Sequence, residues 1–171
     1  INGRALGFAN DILTTPPAEG GVGIVAASGT GLQAVTTILA QRGIGVTQAI
    51  GTGGRDLSVD VGGVMMIESV KALQADPATQ VLLLVSKPPA PEVARSVLVT
   101  LQESNKPAVV CFLGGKKRPI REANATVATD LEKAAVIAAE VASGSQADRA
   151  LKALKQRNKQ LRTRAKDLRA K

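Results

Sequence analysis

The chain has 171 residues, enough for one α/β domain with a sizeable core and too few for two. Apolar residues make up 44%, which marks a folding sequence, but there are only two Phe, no Tyr or Trp and no His. That excludes an aromatic stacking platform for single-stranded nucleic acid, Ser-His-Asp and Cys-His nucleophile systems, and His-based metal sites within these residues. The formal net charge of +8 belongs to the tail: Ser145–Lys171 carries ten Lys/Arg against Asp148 and Asp167, and the remainder is neutral.

The chain starts at Ile1, which reads as a processed or incomplete protein. Its single Cys111 leaves no internal disulfide and points to a reducing cytoplasm. No apolar run is long enough for a membrane helix, so no membrane association is expected.

In chain order, Ala5–Phe8 reads as an edge strand and Thr14–Gly21 as a loop. Short, largely apolar runs follow at Val22–Ala26, Val46–Ile50, Val81–Val85 and Ala108–Leu113, with a fifth extended piece at Ala125–Ala128. Runs apolar on both faces are what a covered parallel sheet requires. Helical periodicity lies between them. Leu32, Val35, Ile38 and Leu39 share one face; Met66, Ile67, Val70 and Leu73 share another. A third helix starts at Pro91 and a fourth spans Leu131–Ala142, capped by Asp130 and stopped near Gly144. The rhythm predicts a flavodoxin-like doubly wound parallel sheet of order 2-1-3-4-5 over 1–144, followed by a basic C-terminal helix over 145–171. In that tail Ala147, Leu151, Leu154, Asn158, Leu161, Ala165 and Leu168 form a narrow heptad seam. Three readings stay open: a helix leaning on its own or a neighbouring domain, a coiled coil with a second copy, or an arm for nucleic acid or an acidic partner.

Four turns carry chemistry. Ser28-Gly29-Thr30-Gly31 ends the first strand and opens a helix, which presents unpaired N–H groups to an anion. Gly53-Gly54-Arg55-Asp56 follows the second strand; Arg55 can bridge two oxygens of a planar anion, and Asp56 can orient Arg55 or take a proton. Gly62-Gly63 offers a further backbone nest. Lys87, stiffened by Pro88-Pro89, follows the third strand, and Leu113-Gly-Gly-Lys-Lys-Arg118 follows the fourth. All four belong to the carboxyl edge of the sheet, where open α/β folds bind ligands. They predict an anion-receiving crevice with no nucleophile of its own. No metal site is expected, and Cys111 reads as a buried small hydrophobe.

The segments Gly21-Val-Gly-Ile-Val-Ala-Ala-Ser-Gly-Thr-Gly31, Gln48-Ala-Ile-Gly-Thr-Gly-Gly-Arg-Asp-Leu57, Val85-Ser-Lys-Pro-Pro89 and Phe112-Leu-Gly-Gly115 resemble the FdrA family, relatives of the succinyl-CoA synthetase α subunit. The resemblance covers about residues 1–144 and is to the middle, flavodoxin-like ligase domain. It implies no cofactor held within this chain, with CoA bound through an N-terminal domain not included in it. It departs from the synthetase pattern in two places. Gly114–Ala128 contains no carrier histidine, and Lys87 stands where a glutamate supports the phosphohistidine. The resemblance therefore implies an anion-binding domain of a carbamoyl or acyl transferase, of the oxamate carbamoyltransferase kind in allantoin catabolism. Its substrates would be phosphate, carbamoyl phosphate, oxamate or an acyl phosphate. Alternatives are an acyl-CoA ligase subunit whose histidine comes from elsewhere and a non-catalytic assembly module. Expected partners are other domains or subunits of the same enzyme, with a second copy as a further candidate and nucleic acid disfavoured.

Overall fold

A computed structural model describes residues 21–145 and 147–169. The expected edge strand Ala5–Phe8, and the expected loop up to residue 20, lie outside the described residues. Five strands, β1 (Gly21–Ala26), β2 (Val46–Gly51), β3 (Thr79–Ser86), β4 (Ala108–Phe112) and β5 (Thr126–Val127), form one sheet of order β2-β1-β3-β4-β5. Every pairing is parallel. This is the predicted order, and the chain reverses direction of travel across the sheet between β1 and β3.

The two faces are filled by alternate residues. Along β3, Val81, Leu83 and Val85 enter one core and Leu82 and Leu84 the other, as the two-residue period of a strand demands. The first core is closed by α1 (Gly29–Gln41) and α5 (Leu131–Ala142). Small residues on α5, Ala134, Ala135 and Ala138, are fully buried and let it lie close to the sheet and to Leu32, Val35 and Leu39 of α1. The second core is closed by α2 (Val64–Ala75), α3 (Pro91–Gln102) and the short α4 (Lys117–Glu122) through Met66, Val70, Leu73, Val97, Leu98, Leu101 and Ile120. α4 has no counterpart in the periodicity, because its six residues bury only Ile120.

Cys111 is fully buried in β4, and loss of hydration pushes its thiol up to about 11, with Asp130 adding to the shift and Lys133 opposing it. The last helix, α6 (Ala147–Arg169), leans on α5 over its first half only. Leu154 is buried and Arg157 Nη2 pairs with Glu132 Oε2 at 2.6 Å, whereas Leu161 and Leu168 are 53% and 66% exposed. No helix among the described residues is long and apolar enough to cross a membrane.

A polar knot ties the amino-terminal edge of β3 to α2. Lys106 Nζ donates to the carbonyls of Leu73 (2.9 Å) and Asp76 (2.5 Å), meeting orphan carbonyls at the end of α2. Asp76 accepts from the Thr79 hydroxyl (2.8 Å) and the Ala78 N–H (3.0 Å). Partial burial works to raise the Asp76 carboxyl, but these bonds, Gln48 and the charge of Lys106 outweigh it and hold it below the ordinary 3.8. A carboxyl lowered by folding adds stability above its unfolded value, and that stability is lost as pH falls through the folded value. Asp76→Asn should therefore lower the urea midpoint at pH 7, and the gap to the parent should close as the pH falls below about 4. A gap of the same size at pH 3 and pH 7 would show that the Asp76 charge contributes nothing.

Candidate functional site

The register sets the ends of three strands level. Ala26 pairs with Gly51 on one side and Val85 on the other. Beyond them the turns are stitched together: Thr52 N–H donates to Ala26 C=O at 2.9 Å, and Ala27 N–H donates to Val85 C=O at 3.0 Å. This brings Ser28–Gly31, Gly53–Arg55 and Lys87 to one edge, beside the point where the strand order reverses. The fourth turn lies at the same edge but next to the third, away from α1: Leu113 N–H donates to Ser86 C=O at 2.9 Å, and Gly114, Gly115 and Lys116 line a cleft between α3 and α4 together with Pro88 and Pro89.

At this edge Ser28 is the N-cap of α1. Its Oγ accepts from the Gly31 N–H at 3.1 Å and lies 3.3 Å from the Thr30 hydroxyl. A Cβ at Gly31 would press on Ser28 Oγ and Val85 Cγ1, both at 3.1 Å, so glycine keeps the cap close to β3. The Gly29 and Thr30 amides stand at the exposed first turn, and no acidic residue lies in that turn. Arg55 and Lys87 are exposed and enter no ion pair among the described residues. Gly53 has φ +79° with open space around it, a backbone that suits glycine. Thr52 Oγ1 is buried beside the turn without a hydrogen-bond partner among the described residues.

Asp56 does not serve Arg55 or accept a proton at the edge. It is 4% exposed, and its two carboxylate oxygens accept from the Met65 and Met66 amides, each at 2.9 Å. Asp56 thus fills the N-terminus of α2. Gly62 and Gly63, both with φ near +75°, turn the chain back for this closure. The glycine pair is the only sequence sign of it, and it reads equally well as an open anion nest. The Gly62 and Gly63 amides are taken by the backbone carbonyls of Ser58 and Asp56, so the pair offers no open nest. At α5, Asp130 plays the part that Asp56 plays at α2. It accepts from the Lys133 N–H at 2.9 Å and from Lys133 Nζ at 2.6 Å. Burial works to raise the Asp130 carboxyl, and the bonds and charge of Lys133 outweigh it, leaving it below its ordinary value. α3 starts with Pro91, which has no N–H, and carries Glu92 in its first turn. Among the longer helices that meet the sheet, α1 is the one with neither a carboxylate cap nor an acidic residue in its first turn among the described residues; α3 has Glu92 there but no side-chain cap. No cluster of metal-ligating side chains occurs among the described residues.

A family model described as a CoA binding domain matches residues 18–114, from the start of β1 through the turn after β4. The chain belongs to this CoA-binding domain family. The expectation assigned CoA to a domain outside the chain, whereas the family match falls on the chain's own sheet. The Escherichia coli K12 protein named "Uncharacterized protein YahF" is 43% identical over 136 residues, covering 80% of this chain. The chain spans a quarter of that relative's length. The fold is also that of the Ca. Korarchaeum cryptofilum dinucleotide-forming acetyl-coenzyme A synthetase 1, solved with phosphate and ADP. That comparison gives a TM-score of 0.57 at 15% identity over 72% of this chain and 30% of that one. The domain is thus acyl-CoA-synthetase-like in architecture.

Asp56→Ala should cost about 1–3 kcal/mol, since it leaves two helix amides without an acceptor in a buried site. Asp56→Asn, which keeps one acceptor oxygen, should cost less. Urea denaturation of both variants checks this, and an Ala variant as stable as the parent would contradict the closure of α2 by Asp56.

Proposed function

We propose that the edge at α1 receives the phosphoryl or carboxylate oxygens of a small anion, and that the chain is the anion-binding domain of an FdrA-type, acyl-CoA-synthetase-like protein that transfers a carbamoyl or acyl group. The observation that carries this reading is the open first turn of α1, beside turns that bring two cations with no ion pair among the described residues, while Asp56 and Asp130 occupy the first turns of α2 and α5. The Gly29 and Thr30 amides and the Thr30 hydroxyl donate to the anion, and Ser28 holds the turn in place. Arg55 spans two oxygens with its guanidinium fork, and Lys87 neutralises charge from the β3 side. Gly53 and Gly54 let backbone approach the ligand.

This set suits a transfer from carbamoyl phosphate to oxamate. The oxamate amide nitrogen attacks the carbamoyl carbon, forming a C–N bond, and the C–O bond to phosphate breaks. The nitrogen's proton leaves with the phosphate. Negative charge grows on the departing phosphate and the carbonyl oxygen, and fixed donors stabilise it without an enzyme nucleophile. The chain has no histidine, so a phosphohistidine step has no carrier among these residues. A second reading, an acyl-CoA ligase subunit using a histidine from elsewhere, is favoured by the family match. The diphosphate of CoA offers the edge the same chemistry as carbamoyl phosphate.

Calorimetric titration of the chain with phosphate, carbamoyl phosphate, oxamate and CoA tests both. Binding of the small anions, weakened at least tenfold in Arg55→Ala with an unchanged melting temperature, is expected. CoA binding that is tighter than carbamoyl phosphate binding and is lost in the same variant would favour the ligase reading. No binding of any of the four would overturn the proposal.

A further inference from the structure

The cleft between α3 and α4 opens beside the turns after β3 and β4, and none of Ser28, Arg55 and Lys87 lines it. Its volume is 730 Å³, within the span of about 300–1,000 Å³ typical of small-molecule sites. Leu98, Phe112 and Ile120 form its floor, with Val99, 49% exposed, carrying the apolar surface to the rim. Pro88 and Pro89 in the turn after β3, Pro91 at the start of α3 and Pro119 in α4 restrict the backbone around it.

Its charges are unequal. Glu122 is already engaged, its Oε1 accepting from Arg118 Nε at 2.7 Å. Arg95 on α3 and Lys116 before α4 line the same cleft and enter no ion pair among the described residues. The result is an apolar floor under a positive rim.

We propose that this cleft binds a small amphipathic monocarboxylate, with its carboxylate at Arg95 and Lys116 and its aliphatic tail on Leu98, Phe112 and Ile120. The apolar floor selects a hydrocarbon tail by burial, and the two cations select a charged head over a neutral one. A fully polar anion such as phosphate gains nothing from the floor and is left to the edge at α1. The proposal shares no side chain with that edge and does not depend on it.

Calorimetry of the 171-residue chain with butanoate, hexanoate, octanoate and hexanol tests this. Affinity should rise about threefold to fourfold for each methylene added, the factor expected for a buried CH₂. Hexanol should bind at least tenfold more weakly than hexanoate. The double variant Arg95→Ala, Lys116→Ala changes only exposed side chains and should weaken octanoate at least tenfold, with its circular dichroism and melting temperature unchanged. Arg55→Ala should leave octanoate binding as it is while weakening phosphate. The proposal is overturned if octanoate does not bind at millimolar concentration. Binding unaffected by the double variant, or hexanol binding as tightly as hexanoate, would overturn it equally.

Discussion

The first-turn amides of a helix have no partner inside the helix, and where each set finds its acceptor decides what this domain can do. In α2 the acceptor is Asp56, reaching across the glycine turn to Met65 and Met66. In α5 it is Asp130, and in α3 a proline removes one donor while Glu92 sits in the first turn. α1 has its own Ser28 for the Gly31 amide, leaving Gly29 and Thr30 at the surface of the sheet edge. A carboxylate meets this need at α2 and α5, a proline reduces it at α3, and at α1 only the Gly31 amide is capped.

That difference acquires meaning from topology. β1 lies between β2 and β3, and the register sets their ends level at Ala26, Gly51 and Val85. The turns after these strands therefore share one neighbourhood, with a cation on each side of the α1 terminus. The chain belongs to the CoA-binding domain family and is acyl-CoA-synthetase-like in architecture. It spans a quarter of the length of its relative YahF.

Much of the fold was legible in the sequence because it rests on local pattern. The apolar runs Val22–Ala26, Val46–Ile50 and Val81–Val85 are strands to within about two residues, and Leu131–Ala142 is α5 as read from Asp130 and Gly144. The strand order followed from the alternation of the two textures. What failed to read depends on contacts between distant residues. Asp56 was assigned to Arg55, its neighbour in sequence, whereas its real partners lie nine and ten residues on and are reached only through the left-handed turn at Gly62–Gly63. Lys117–Glu122 forms a helix too short to show a period. The heptad seam of the tail is regular in sequence but unequal in space: it is covered at Leu154 and open at Leu161 and Leu168.

The account stands on α1 being the helix whose terminus is left to a ligand. Amide chemical shifts recorded while phosphate is titrated into isotopically labelled protein measure this residue by residue. The Gly29 and Thr30 amides should move in a saturable way, while those of Met65 and Met66, held by Asp56, stay where they are. Movement at Met65 and Met66 in place of Gly29 and Thr30, or no saturable movement at either helix, would contradict it.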